Sequence, residues 1–242
     1  MADRKKITKE WFKGWSNEYD NTLGKMGRHH KLLDLAVKLS GVKDDEKILD
    51  IGCGTGLLSL KFIEKANCSI VGVDNSKEML AIFRKKIEQL SLGGRISCKF
   101  EDAGALKFKN NTFDIVASTV TLHHLINKYP AIKKIYNVLK PGGRLVIGDI
   151  DLDTTGKLTD TVRLGRVMDY LKDELAIALR DGGVTAMKRM FDNGKKHLLN
   201  EGEYCISFKQ WSDLCRKGGF KNIVVKALPG FTRFKVLVAK KS

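Results

Sequence analysis

A glycine-rich turn that follows a short apolar segment is the pattern in this chain best suited to hold a ligand. Residues 48–56 read ILDIGCGTG, which predicts a buried strand that runs into the turn and then into a helix. Glycine permits positive φ, and it lets the backbone approach a ligand where a Cβ atom would collide. A ligand here would lie at the carboxyl end of a parallel strand and face a helix N-terminus, where open α/β sheets bind cofactors.

The spacing of the glycines excludes two common phosphate-binding loops. Gly52, Gly54 and Gly56 form the pattern G-x-G-x-G, whereas the third glycine of a dinucleotide fingerprint comes three positions after the second. A P-loop is excluded as well, because no Gly-Lys-Ser/Thr follows the turn.

Two acidic residues end the next two predicted strands. Asp74 lies about where a doubly wound nucleoside site places a carboxylate that accepts hydrogen bonds from both ribose hydroxyls. Asp102 precedes Ala103, and a carboxylate at this position can accept from the exocyclic amine of adenine. The alternatives are a helix-capping or turn aspartate at Asp74 and a solvated turn at Asp102.

Helix and strand signals alternate around these residues, which predicts a mostly parallel sheet with helices on both faces. The strands are predicted at residues 47–51, 69–73, 96–101, 113–118 and 144–149. The helices are predicted at residues 31–39, 57–65, 76–90 (with Ser76 as the N-cap) and 130–139. Two further strands, residues 221–227 and 232–239, are joined by so short a connection that they must pair antiparallel.

Residues 154–203 interrupt this alternation with helical spacing among many charges, and Gly182-Gly183 divides the segment in two. The segment enters after the predicted fifth strand, at the ligand-binding edge of the sheet. We therefore predict a helical cap over the substrate, whose basic residues could meet an anionic acceptor. These residues are Arg163, Arg166, Arg180, Lys188 and Arg189. The alternative is an ordinary helical pair with a solvated basic side.

Composition indicates an ordinary globular protein. Of 242 residues, 43% are hydrophobic and 30% charged, which excludes a disordered chain. The net charge of +16 attracts anions of any kind, nucleic acid included. The five cysteines are widely spaced and include no C-x-x-C pair, so reduced thiols and no metal site are expected. No signal peptide and no apolar run of about 18 residues is present, so we expect a cytoplasmic protein without a membrane span.

Five motifs in the same order and spacing carry a resemblance to a known family. They are D-x-G-x-G-x-G at residues 50–56, Asp74, Asp102-Ala103, FDIV and LHHL at residues 113–116 and 122–125, and LKPGG at residues 139–143. Together they resemble class I S-adenosylmethionine-dependent methyltransferases, in particular the small-molecule branch that includes the quinone-biosynthesis enzymes. The resemblance implies a Rossmann-like α/β fold whose seven-stranded sheet is mostly parallel, with the last strand antiparallel. It also implies S-adenosyl-L-methionine as the cofactor.

The resemblance further implies which residues bind this cofactor. Asp50 and the glycine-rich turn would hold the methionine part, Asp74 the ribose, and Asp102 with Ala103 the adenine. Met79 flanks the adenine in this interpretation, with helix core as the alternative. The complete expected set is Asp50, Gly52, Cys53, Gly54, Gly56, Asp74, Asn75, Met79, Asp102, Ala103, Ser118 and Thr119.

Candidates for the acceptor side follow the fourth predicted strand and precede the core. Of His123 and His124 only one can face the substrate, and we interpret His123 as the residue that takes a proton from the acceptor and His124 as structural. Tyr19 lies in an aromatic segment that resembles a lid over the cofactor, with a surface helix as the alternative. His29 and His30 are adjacent and point apart on a helix, so we interpret them as part of a solvated basic face.

The predicted organisation has four parts, and three functions remain open for it. A helical lid at residues 1–30 precedes a cofactor-binding core at 31–153, the insertion at 154–203, and a helix with a β-hairpin at 204–242 that completes the sheet. The first function is methylation of a small molecule. The second is methylation of RNA, which the net charge favours. The third is a nucleotide-binding module without methyl transfer, which the glycine spacing opposes.

Overall fold

The computed structural model of the chain describes residues 27–195, 198 and 204–242. Seven strands form one sheet: β1 (Lys47–Ile51), β2 (Ser69–Asp74), β3 (Ile96–Phe100), β4 (Phe113–Thr119), β5 (Leu139–Ile150), β6 (Phe220–Leu228) and β7 (Phe231–Lys241). The α-helices among the described residues are α1 (Gly27–Ser40), α2 (Leu57–Lys65), α3 (Lys77–Gln89), α4 (Tyr129–Val138), α5 (Thr161–Gly194) and α6 (Phe208–Gly218).

The strand order in the sheet is β3-β2-β1-β4-β5-β7-β6. The first five strands are parallel, and β7 runs antiparallel to both β5 and β6. This is the predicted Rossmann-like α/β fold, which is confirmed. The order reverses between β1 and β4, and a crevice for ligands opens at the carboxyl ends of the strands where such a reversal occurs.

The sheet is covered on both faces by apolar clusters, so its central strands are buried. On one face α1, α2 and α3 contribute Leu32, Phe62 and Phe83, each without solvent exposure. On the other face α4 and α6 contribute Ile135 and Trp211. Burying a large apolar side chain stabilises a fold by about 1.5–3 kcal/mol, so these residues fix the helices on the sheet and thereby the turns between them.

The element boundaries mostly follow the expected ones, and one strand differs. Ser76 caps α3 as predicted, because its hydroxyl accepts a hydrogen bond from the backbone N–H of Met79. Strand β5 begins at Leu139, five residues earlier than predicted, since Leu139 pairs with Phe113 before the register shifts. The Lys-Pro-Gly-Gly segment is thus an irregularity within the strand.

The insertion consists of a long helix with a break where glycine spacing predicted one. Gly183 interrupts α5 with φ 67° and ψ −167°. The first half of α5 packs Val167, Tyr170 and Leu171 against Leu152, which follows β5. This half of the insertion is therefore anchored to the end of the central sheet.

Two arginines of the insertion do not serve the predicted purpose. Arg163 is 3% exposed and donates to the carbonyls of Thr154 and Leu198. Arg166 donates to the carbonyls of Asp153 and Thr155. The prediction that Arg163 meets an anionic acceptor is wrong, because its buried guanidinium is occupied by backbone oxygens of the insertion. Arg166 does not line the cavity either, and it is held by the backbone oxygens of Asp153 and Thr155.

The described residues contain neither a membrane-spanning helix nor a cluster of metal ligands. None of the helices described there is long and apolar enough to cross a bilayer. Among the same residues no cluster of three or more His, Cys, Asp or Glu side chains could bind a metal ion.

Candidate active site

A cavity of about 350 Å³ lies at the carboxyl ends of β1, β2, β3 and β4. Its walls come from the turns that follow these strands, from α1, and from Tyr204, where the chain returns after the insertion. Of the predicted cofactor residues, ten line this cavity: Asp50, Gly52, Cys53, Gly54, Asp74, Asn75, Met79, Asp102, Ala103 and Thr119. The fold thus brings together residues that are 69 positions apart in the sequence.

The three glycines of the turn have different roles. Gly52 and Gly54 have φ of 70° and 51°, a region that favours glycine. A Cβ atom on Gly54 would meet no protein atom within 4 Å, whereas one on Gly52 would collide with the side chain of Thr121. A Cβ on Gly56 would collide with Phe83 of α3, and Gly56 does not line the cavity. The cavity thus does not include the predicted cofactor residue Gly56, because this glycine makes room for the ring of Phe83.

Asp74 holds the glycine turn in place as well as facing the cavity. Its Oδ2 accepts from the N–H of Gly54 at 2.9 Å, and its Oδ1 accepts from the N–H of Ser76 at 2.8 Å. Burial raises the pKa of this carboxyl, and the backbone N–H donors oppose that shift. Each oxygen retains lone-pair capacity for a second donor, so the geometry suits two ribose hydroxyls.

Asp50 lies beneath the turn and is 1% exposed. The hydroxyl of Ser59 donates to its Oδ2 at 2.7 Å. Burial raises the pKa of Asp50 to about 7, Ser59 opposes that shift, and the nearby charge of Asp74 adds to it. A cationic ligand group would stabilise the ionised form of this carboxyl.

The residues that the resemblance assigns to adenine also line the cavity. The side chain of Asp102 accepts from the N–H of Gly104 at 2.7 Å, which orients the turn after β3. Ala103 and Asn75 line the cavity beside it. Met79 is 2% exposed, as expected for helix core, and it also lines the cavity. Its contact with adenine stays a prediction.

The end of β4 and the residue after it also line the cavity. The hydroxyl of Ser118 donates to the carbonyl of Ile51 at 2.9 Å, and this side chain does not line the cavity. Thr119 does line it, as does Val120, which has φ 50°. A β-branched residue with positive φ is a rare, strained conformation of the kind that clusters at functional sites.

The two adjacent histidines have the reverse of the expected orientation. His123 is 2% exposed, and its Nδ1 lies 2.7 Å from Oδ1 of the buried Asp149 on β5. His124 lines the cavity. The prediction that His123 faces the cavity and His124 is structural is wrong, because the Asp149 carboxylate turns the first imidazole into the protein.

The sequence analysis did not predict the part of the wall that α1 contributes. His29 is 9% exposed and lines the cavity beside Leu33, so its interpretation as part of a solvated face is wrong. Burial lowers its pKa to about 4, with His30 and Arg28 adding to the shift. The apolar positions Leu33 and Val37 follow His29 at intervals of four, a periodicity that could have revealed the inward face of α1.

The predicted lid residue is not described by the structure, and the described part of the predicted cap does not line the cavity. Tyr19 lies outside the described residues. None of the described residues between 154 and 195 lines the cavity, whereas Tyr204, which directly follows the insertion, does. The cap over the acceptor remains a prediction for the rest of the segment.

The lining fits S-adenosyl-L-methionine, a cation with a nucleoside end. Its described residues include four carboxylates, those of Asp50, Asp74, Glu101 and Asp102, and contain no lysine or arginine. The open space beside Gly54 admits a ligand against the backbone of the turn. Fold and site together define a Rossmann-like protein that binds a nucleoside cofactor of positive charge.

A family model described as a methyltransferase domain matches residues 42–205, which is more than half of the chain. The chain belongs to this methyltransferase family. The resemblance to class I S-adenosylmethionine-dependent methyltransferases is thereby confirmed, and S-adenosyl-L-methionine is the cofactor of that class.

Individual relatives agree with this assignment. The chain is 34% identical over 149 residues to a ubiquinone/menaquinone biosynthesis C-methyltransferase of Haemophilus ducreyi, which covers 60% of this chain and 58% of the relative. It thus spans less than two thirds of that relative's length. A methyltransferase of Thermotoga maritima has a TM-score of 0.62 and 22% identity over 96% of this chain and 98% of its own.

A third similar protein shares the fold. Phosphoethanolamine N-methyltransferase 2 of Haemonchus contortus, crystallised with phosphomonomethylethanolamine and S-adenosylhomocysteine, has a TM-score of 0.61 and 19% identity. The match covers 87% of this chain and 52% of that protein. At such identity the likeness concerns the fold, which hosts acceptors of different chemistry.

Proposed function

We propose that this protein transfers the methyl group of S-adenosyl-L-methionine to a small-molecule acceptor by in-line displacement. The observation that carries the proposal is the continuity of one cavity. Its lining includes the carboxylates of Asp74 and Asp102 and, as a second group, His29, His124 and Tyr204. A cofactor held by the first group would direct its methyl toward the second.

The chemistry requires few catalytic groups. When bound, S-adenosyl-L-methionine supplies a methyl group that its sulfonium sulfur has already activated. The protein must hold the acceptor in line, exclude water and remove a proton, and orientation alone can lower a barrier by roughly 7–11 kcal/mol. The apolar residues Leu33, Leu125 and Ile126 line the same cavity and are suited to excluding water.

We assign the proton acceptor to His124 in place of His123. His124 lies on the short 3-10 helix that follows β4 and lines the cavity, and an imidazole exchanges protons near neutral pH. His29 stays neutral there because burial lowers its pKa to about 4. It can accept a hydrogen bond from a hydroxyl of the acceptor without carrying charge.

We propose a neutral aromatic hydroxy compound as the acceptor, with carbon as the methylated atom. Names of similar proteins include carbon methylation in quinone biosynthesis. The hydroxyl proton would pass to His124 as the ring carbon bonds the methyl carbon and the sulfur–methyl bond breaks. The ring then regains aromaticity as its C–H proton leaves and the oxygen is reprotonated. The cavity has no lysine or arginine in its described lining, which disfavours an anionic acceptor and RNA.

Cofactor binding is tested by calorimetry with S-adenosylhomocysteine, and with NADH as the control. We expect saturable binding of the first and none of the second. Binding of NADH alone would favour the nucleotide-binding alternative.

The acceptor is tested with 1,4-dihydroxynaphthalene and S-adenosyl-L-methionine under anaerobic conditions, followed by mass spectrometry of the product. We expect one added methyl group on a ring carbon, and a loss of roughly 10²- to 10⁴-fold in kcat for His124→Gln, the range typical of a general base. His30→Gln, which changes a histidine outside the cavity lining, is the matched control. Equal kcat values for the two variants would exclude His124 as the base.

A further inference from the structure

The two ends of the insertion meet at a neck beside the cavity, which Tyr204 lines. The N–H of Thr154 donates to the carbonyl of Cys205 at 3.0 Å, which joins the start of the insertion to its exit. The N–H of Tyr204 donates to the carbonyl of His123 at 3.0 Å. Tyr204 is therefore attached to the turn after β4, the same turn that presents His124 to the cavity.

One buried cation lies between these segments. Nζ of Lys128 donates to the carbonyl of Leu125 at 2.6 Å and to the carbonyl of Tyr204 at 2.5 Å. Lys128 is 5% exposed, and its ammonium lies 5.8 Å from the ring centroid of Trp211. Leu125 and Tyr204, whose carbonyls accept these hydrogen bonds, both line the cavity.

The position of Lys128 is unfavourable for a lysine in two respects. It is the N-cap of α4 and provides no side-chain cap, whereas such positions favour Ser, Thr, Asp or Asn. A cation at a helix N-terminus also opposes the helix dipole. Burial is a further cost, and it lowers the pKa of Lys128 to about 8 despite the charges of Cys205 and Asp149. An apolar side chain would fill this space at lower cost, so the ammonium must contribute something that packing does not.

A second buried pair stabilises the same turn. Asp149 on β5 fixes the imidazole of His123, and the backbone carbonyl of that histidine receives the N–H of Tyr204. The turn is thus attached to the sheet through a side chain and to the neck through the backbone.

We propose that Lys128 is a positioning residue that fixes Leu125 and Tyr204, the wall against which the acceptor lies. This inference rests on the proposed methyl transfer to a small molecule. Lys128 acts through the carbonyl of Leu125, three residues before it, and the carbonyl of Tyr204, 76 residues after it. The insertion would therefore influence acceptor binding through its neck.

The inference is tested with Lys128→Met, which retains an apolar stem of similar length, and with Lys128→Arg, which retains a cationic donor. Lys133→Met removes an exposed lysine of α4 and is the matched control. Hydrogen exchange of peptides covering 122–126 and 204–207 is measured on the complexes with S-adenosylhomocysteine. Steady-state methylation of 1,4-dihydroxynaphthalene gives KM and kcat.

For Lys128→Met we expect at least tenfold faster exchange in both peptides. The KM for 1,4-dihydroxynaphthalene should rise at least tenfold. The affinity for S-adenosylhomocysteine should stay within twofold of the parent. In Lys128→Arg, both the exchange rates and the KM should return most of the way to the parental values. Unchanged exchange, or an unchanged KM beside faster exchange, would overturn the inference. If the parent protein does not methylate 1,4-dihydroxynaphthalene, the proposed acceptor is wrong. The exchange rates of Lys128→Met and Lys128→Arg then still decide whether Lys128 fixes these two segments.

Discussion

Asp74 shows how one side chain can serve ligand recognition and local structure together. Both carboxylate oxygens accept backbone N–H groups, one from the glycine turn and one from the start of α3. The hydrogen bonds to Gly54 and Ser76 show that Asp74 supports the turn on which the cofactor would lie.

Asp74→Ala is predicted to weaken S-adenosylhomocysteine binding roughly ten- to hundredfold, because a hydrogen bond to a charged group contributes about 1.5–3 kcal/mol. It should also lower the free energy of unfolding, since two backbone N–H groups lose their acceptor. Calorimetry and urea unfolding measure the two effects. Asp213→Ala, which removes an exposed carboxylate paired with Lys209 and Arg216, is the control. Full affinity in Asp74→Ala would remove this residue from the site.

Asp50 is predicted to make cofactor binding depend on pH. Its pKa in the free protein is about 7, and a cationic ligand favours the ionised carboxylate, so binding should release a proton below that pH. The affinity for S-adenosyl-L-methionine should therefore rise as the pH rises from 6 to 8 and then level off. Calorimetry in buffers of different ionisation enthalpy measures both affinity and proton release. Asp50→Asn should abolish the proton release, and a parent protein that releases none would contradict the prediction.

The glycine turn is the element on which the cofactor half of the site depends. Gly52 makes room for a protein side chain, whereas Gly54 leaves space that is open to the cavity. Substitution at these two positions should therefore have different consequences, one mainly for folding and the other mainly for binding.

Gly54→Ala is predicted to weaken S-adenosylhomocysteine binding, and Gly54→Val to weaken it further, because each added atom enters space that the ligand needs. Strain from a left-handed residue costs about 1–2 kcal/mol of stability by itself. Gly142→Ala separates the two effects, since Gly142 has φ 76°, open space around its Cβ position and no part in the cavity lining. Gly142→Ala should reduce stability and leave affinity unchanged. Equal affinities for the two Gly54 variants and the parent would limit this glycine to a role in the turn.

At the scale of the whole molecule, the insertion and the core are coupled through buried charge. Arg28 of α1 forms an ion pair of 2.5 Å with Glu174 of α5, and both side chains are at most 10% exposed. The neighbouring His29 lines the cavity. The insertion therefore supports the helix that carries one wall of the site.

Replacing residues 154–203 by a short linker is predicted to abolish methyl transfer while changing S-adenosylhomocysteine affinity by less than about tenfold, or roughly 1.4 kcal/mol. A short linker can close the gap, because Thr154 and Cys205 are hydrogen-bonded to each other. The deletion also removes Glu174, the carboxylate partner of Arg28. A urea titration measures the stability of the deletion variant. Parental methylation rates in a folded deletion variant would contradict the role of the insertion.

The sequence by itself determined the order of the elements, the turn at Gly52 and Gly54, and the acids at Asp74 and Asp102. These features are local, because strand periodicity, turn chemistry and the position of a residue at a strand end are all encoded within a few neighbouring residues. Parallel strands that end at one edge of a sheet then bring such residues together without further information.

Only the tertiary structure decided which side chains face the cavity beyond that edge. His123 turns inward because Asp149, 26 residues away, holds its ring. Lys128 joins a turn to a segment 76 residues later, and Gly56 faces Phe83 and not a ligand. Such orientations depend on contacts between elements that are distant in the chain, and no periodicity within a single element specifies them.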